Sequence, residues 1–180
     1  MGLFGKSKPK TLFSLLKMKP EEVFTLNYEL VKEEKNQQEK MVYTYSAKLK
    51  QIELNIFDNI ELISWTPGTS FKDQPFNLFF KSSMKPIQLK DIESLCNTLY
   101  STFGKDSSEL GKFEGFEKTA FMEFGNWVGR TWYFDKTGKN TGGEIVRELG
   151  AFDIMVSYDA SEGIDLTILQ CDQLIKLLTD

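Results

Sequence analysis

Four stretches of this chain bring together residue types that could do chemistry. Gly138-Lys139-Asn140-Thr141-Gly142-Gly143 has the glycine density of a phosphate-cradling loop. Asp159, Glu162 and Asp165 could offer carboxylate oxygens to a calcium ion. Asp135, ahead of Lys136-Thr137-Gly138, could present a carboxylate nucleophile. Residues 116–134 concentrate Phe116, Phe121, Phe124, Trp127, Trp132, Tyr133 and Phe134 around Arg130, a composition enriched at interface hot spots. One absence narrows the chemistry: none of the 180 residues is histidine. Histidine is the side chain that gains and loses a proton near neutrality and the commonest metal ligand. Without it there is no Ser-His-Asp or Cys-His catalysis, no His-based zinc site and no HExxH metalloprotease.

The first three stretches read better as turns. A phosphate loop requires GxxxxGK followed by Ser or Thr at the start of a helix. No such lysine follows Gly143, and Glu144 would face the phosphates, so residues 138–143 are expected to form a flexible loop. An EF-hand counted from Asp159 needs glycine sixth and glutamate twelfth. Gly163 comes fifth and Gln170 twelfth, which suits a solvated hairpin tip. Asp135-Lys136-Thr137-Gly138 resembles, over four residues, the phosphorylated-aspartate motif of P-type cation pumps. Lys139 stands where that motif continues with threonine, and neither membrane spans nor a nucleotide domain accompanies it, so a strand-ending turn is expected. A carboxylate pair for hydrolysis is a three-dimensional property that no spacing locates. The residues call for no cofactor and no metal.

The aromatic stretch is the candidate site. Gly125-Asn126 between two aromatic-rich runs predicts a two-residue turn and a hairpin over 117–134. One face then carries Lys118, Ala120, Met122, Phe124, Trp127, Gly129, Thr131 and Tyr133, with a single charge, and is expected to be core. The other mixes Glu117, Glu123 and Arg130 with large aromatics. It supplies the candidate partner-binding residues Phe121, Glu123, Val128, Arg130, Trp132 and Phe134. The alternative is that another part of the chain covers this face, with Glu123 and Arg130 paired diagonally across it.

The elements that must position these residues follow from periodicity. Residues 1–8 read as a mobile basic arm and 9–18 as a short helix ended by Pro20. Residues 20–31 are ambiguous. Pro20-Glu21-Glu22 starts a helix well, yet Phe24, Leu26, Tyr28 and Leu30 alternate, which favours a strand paired in a hairpin with Val42–Tyr45 across a polar loop, 32–40. A further strand pair is expected around Asp58-Asn59, ending at a type II turn with Pro67 and Gly68 at its centre. After the apolar run Phe76–Phe80, helical spacing of Leu89, Ile92, Leu95, Cys96, Leu99 and Phe103 predicts a helix over 87–103, stopped by Gly104. Near the end, alternation pairs Tyr158 with Ile164, Val156 with Leu166 and Ile154 with Ile168. A second main helix is expected over 170–178. The fold class is α+β: an antiparallel sheet with helices packed on one face, in one domain over 9–180 with possible halves 9–104 and 105–180.

Bulk properties set the functional expectation. Net charge is −4, but the first twenty residues carry five lysines and no acid, leaving 17 basic and 26 acidic side chains in the rest. That acidic body argues against nucleic acid and favours a protein partner with a basic surface. Cys96 and Cys171 lie on apolar helical stripes and read as reduced core residues of a cytoplasmic protein. The expected function is a non-catalytic protein-binding module of adaptor, chaperone-like or immunity type. The alternative is a peripheral protein recruited to an anionic membrane or an assembly through residues 1–18; a carboxylate-dependent hydrolase is a weaker third.

Overall fold

A computed structural model describes residues 20–49, 57–68, 76–82, 87–124, 127–148, 150–159, 161 and 163–169. The fold is an α+β arrangement around one seven-stranded antiparallel sheet, in the order β1-β2-β3-β4-β7-β6-β5. The strands are β1 (Glu29–Lys35), β2 (Met41–Lys48), β3 (Asn59–Ser64), β4 (Phe76–Lys81), β5 (Trp127–Phe134), β6 (Phe152–Asp159) and β7 (Gly163–Leu169). Two meanders, β1–β4 and β5–β7, join where β4 pairs with β7. The expected helices over 9–18 and 170–178, and Cys171, lie outside the described residues.

One face of the sheet is the core. Tyr45, Leu62, Leu78, Ile168, Ile154 and Trp132 form a continuous row across six strands, and each is buried. A second row runs Ala47, Ile60, Phe80, Leu166, Val156 and then Arg130. The helix α2 (Leu89–Phe103) buries Ile92, Leu95, Cys96 and Leu99 in the same core. Asp91 fixes its start by accepting the Gln88 N–H at 2.9 Å, and Gly104, at φ +82°, donates its N–H to Tyr100 at the end. The alternation of β6 and β7 specified their register: Tyr158 faces Ile164, Val156 faces Leu166 and Ile154 faces Ile168, as expected.

Three expectations need correction. Residues 20–31 divide into a short helix, α1 (Pro20–Thr25), and the start of β1. Val23 is buried while Leu30 is exposed, so the apparent alternation does not mark a single element. The polar loop shrinks to a turn at 36–40, in which the Asn36 side chain accepts the N–H groups of Gln38 and Lys40. Lys32–Lys35 are strand although wholly polar, because β1 is an edge strand with all seven residues exposed and nothing imposes a period on it. Both sides of β3 are taken by β2 and β4, so Asp58-Asn59 does not join two strands paired with each other.

The third correction is the largest. Residues 116–124 are not the first arm of a hairpin but a helix, α3 (Phe116–Phe124). Glu, Lys, Ala and Met dominate its middle and favour helix over strand. Gly115, at φ +61°, turns the chain into it. β5 pairs instead with β6. Its other side is sealed by the Ser107 N–H on the Thr131 carbonyl (2.7 Å), the Thr141 N–H on the Tyr133 carbonyl (2.9 Å) and a bridge from Phe134 to Asn140.

Candidate functional site

The strand β5 contains a bulge between Trp127 and Arg130, and it decides where the candidate residues point. In a regular strand, positions three apart face opposite ways. Here the extra residue brings Trp127, Arg130, Trp132 and Phe134 all to the core side. Gly129 makes this possible. At φ +93° it lies so close to β6 that a Cβ would sit 2.0 Å from the Val156 carbonyl oxygen. Arg130, Trp132 and Phe134 therefore point into the interior and are not a partner-facing surface in the folded chain. Phe121 is half-buried with its ring 5.2 Å from that of Tyr158, and Glu123 is exposed. The side chain of Val128 lies outside the description.

Arg130 occupies a position in the core where its row is otherwise apolar, and a shell built from distant segments makes that tolerable. Glu117 on α3 accepts from it twice, Nε to Oε1 at 3.0 Å and Nη2 to Oε2 at 2.6 Å. Nη1 donates to the Gly111 carbonyl, the Asp106 carboxylate stands 3.8 Å away, and the Phe113 ring lies 5.8 Å from the guanidinium carbon. Trp127 Nε1 adds a bond to Glu117 Oε1 at 3.2 Å. The alternative in which the chain itself covers this side of β5 holds for Arg130, Trp132 and Phe134, but the partner of Arg130 is Glu117 and not Glu123. Burial by itself would lower the basicity of Arg130, but the hydrogen bonds and charge of Glu117 outweigh it and hold the pKa above its usual value. Asp106 also accepts the N–H groups of Ser108 and Leu110, so the loop between α2 and α3 folds around the guanidinium.

This cluster gathers ionisable groups out of water, as active sites do, but its polar atoms are committed to one another. Both oxygens of Glu117 are engaged. Cys96, the nearby thiol, is pushed above its usual range by burial, despite the opposing field of Arg130. It stays protonated at neutral pH, so a disulfide-exchange reagent is expected to label Cys96 only after denaturation. Peptide mapping that finds Cys96 modified in the native protein would contradict this.

The other stretches behave as turns. Asp135 Oδ1 accepts from Thr137 Oγ1 (2.6 Å), Thr137 N (2.8 Å) and Lys139 N (3.1 Å). The hydrogen bond from the Thr137 hydroxyl and then that from the Lys139 backbone hold its carboxyl below the usual range. Its oxygen closes the turn. The glycine-rich loop is better anchored than expected: Asn140 Nδ2 donates to the carbonyls of Phe103 and Lys105, at 2.8 and 2.9 Å, just past the end of α2. Asp159 Oδ1 accepts from the Ser161 backbone and hydroxyl. Among the described residues, no three Cys, Asp or Glu side chains converge as a metal site. No helix among them is long and apolar enough to cross a membrane.

The exposed apolar side chains of the segment lie on α3, which sequence reasoning missed by reading it as strand. Phe116 is 67% exposed and Met122 75%, on the same side of the helix as Thr119 and Glu123. The opposite side is fixed: Glu117 enters the Arg130 cluster, Phe121 meets Tyr158, and Lys118 ties α3 to Glu93 of α2 at 2.8 Å. The helical spacing of residues 116, 119 and 122–123 was the signal that could have identified this surface. No family model matches this chain, and no curated protein or solved structure matches it significantly.

Proposed function

We propose that the protein is a non-catalytic binding module whose protein partner docks on the outer side of α3. The observation that carries this reading is the exposure of Phe116 and Met122 on a helix whose other side is pinned by a buried ion pair. Large apolar side chains held on a preorganised element lose little entropy on binding. Phenylalanine supplies contact area, and methionine adapts to the shape it meets. Glu114 and Glu123 are exposed at the two ends of this surface and favour a partner with a basic rim. The internal saturation of the Arg130 cluster supports a structural role for it rather than acid–base chemistry.

The double variant Phe116→Ser/Met122→Ser tests the proposal. Both side chains stand in solvent, so the melting temperature should stay within about 2 °C of the parent. A protein captured from the host extract by the parent chain should be lost by the variant, with affinity falling at least about thirtyfold for two anchors. Equal capture by the two would overturn the proposal.

A further inference from the structure

The face of the sheet opposite the core holds a carboxylate that meets no counter-charge among the described residues. Asp153 stands on β6 between Tyr133 of β5 and Leu169 of β7. The next outward residue of its strand is Met155, 39% exposed and flanked by Thr131 and Thr167. Asp153 is half-buried, and among the described residues no cation or hydrogen-bond donor reaches it. Burial raises its carboxyl above the usual range. Glu61 on the same face, by contrast, is answered by Lys81 at 3.1 Å, and the buried Glu117 by Arg130. A partly desolvated acid gains more from an incoming cation than a fully solvated one does, because water screens the pair less.

The chain carries a matching segment. Residues 1–19 contain Lys6, Lys8, Lys10, Lys17 and Lys19 and no acid, interspersed with Leu3, Phe4, Leu12, Phe13, Leu15 and Leu16. A lysine places its aliphatic stem on apolar surface while its ammonium meets the charge, which suits a carboxylate bordered by Tyr133, Met155 and Leu169. Reach is not limiting. Seven strands span about 30 Å, whereas nineteen extended residues cover about 60 Å. We propose that residues 1–19 dock on the sheet face opposite the core of their own chain, setting a lysine ammonium on Asp153 and apolar side chains against Tyr133 and Met155. The proposal is independent of the α3 surface.

Carbodiimide cross-linking of the full chain, followed by peptide mapping of the monomeric fraction, tests it. The expected product is an amide between Asp153 and one of the five lysines, absent in Asp153→Asn and retained in Phe116→Ser/Met122→Ser. Links from these lysines to exposed acids such as Glu33, with none to Asp153, would overturn it, as would links found only between chains. A second measurement does not rely on carbodiimide access. Replacing the five lysines by glutamine should raise the pH at which the Asp153 carboxyl resonance titrates and should shift the Met155 methyl resonance. If neither moves, and the same variant loses binding to phosphatidylserine vesicles, the segment serves a membrane surface and the proposal fails.

Discussion

Replacing Arg130 with alanine is expected to destabilise the protein by about 3–5 kcal/mol, the cost of removing one partner of a buried ion pair. The reason lies in what remains. Glu117, only 4% exposed at its side chain, would keep a negative charge in the interior with a single bond from Trp127. The Gly111 carbonyl would lose its donor, and the loop around Asp106 would lose its centre. For a chain of this size the melting temperature should fall by roughly 10 °C. The double variant Arg130→Met/Glu117→Leu separates pairing from packing. It should recover part of the loss, since two apolar side chains need no compensating charge, while the Gly111 carbonyl and the Trp127 N–H still lack their partners. Urea denaturation of the parent, single and double variants measures all of this. A single variant within 1 kcal/mol of the parent would show that the cluster does not hold the fold.

Trp132→Ala is expected to cost a further 3–5 kcal/mol measured on its own, by emptying a fully buried site of its largest occupant, about what truncating a buried aromatic costs. Trp132 sits between the sheet and α2, opposite Ile154, and its Nε1 donates to the Gly104 carbonyl at 3.0 Å. The substitution therefore opens a cavity and also frees the carbonyl that ends α2. Trp132→Phe keeps most of the ring and loses that bond, so it should cost only about 1–2 kcal/mol. The ordering alanine, then phenylalanine, then parent in denaturant midpoints is the check. A Trp132→Ala chain as stable as the parent would restore the surface position that alternation suggested for this residue.

The contrast between β6–β7 and residues 116–134 shows what a sequence can carry. In β6 and β7 one side of each strand faces the core and the other does not, so alternation and register determine one another. A slip by one residue would turn every apolar side chain outward. The helix α2 was legible for a similar reason, since its apolar stripe, the residues at its start and the glycine at its end all agreed. Residues 20–35 were half legible: Pro20 marks a helix start, but an edge strand exposed on both sides carries no period.

Residues 116–134 misled because their local signals conflict. The two-residue turn signal at Gly125-Asn126 and the aromatic runs suggested strands, whereas Glu117, Lys118, Ala120 and Met122 favour helix. Packing of α3 beside α2, with Lys118 on Glu93, decided the matter. The bulge at Gly129 then reversed the expected faces of β5 from Arg130 onward, while Trp127 kept its expected core side, and only glycine fits there because the β6 backbone approaches too closely for a side chain. By itself the sequence determined the fold class, the α2 helix, the β6–β7 register and the absence of histidine chemistry, each set by residue type or by local periodicity. Only the tertiary structure decided that Arg130 is a core residue. Its charge can be buried because Glu117, thirteen positions earlier, arrives on a helix at hydrogen-bonding distance, and no periodicity encodes that meeting.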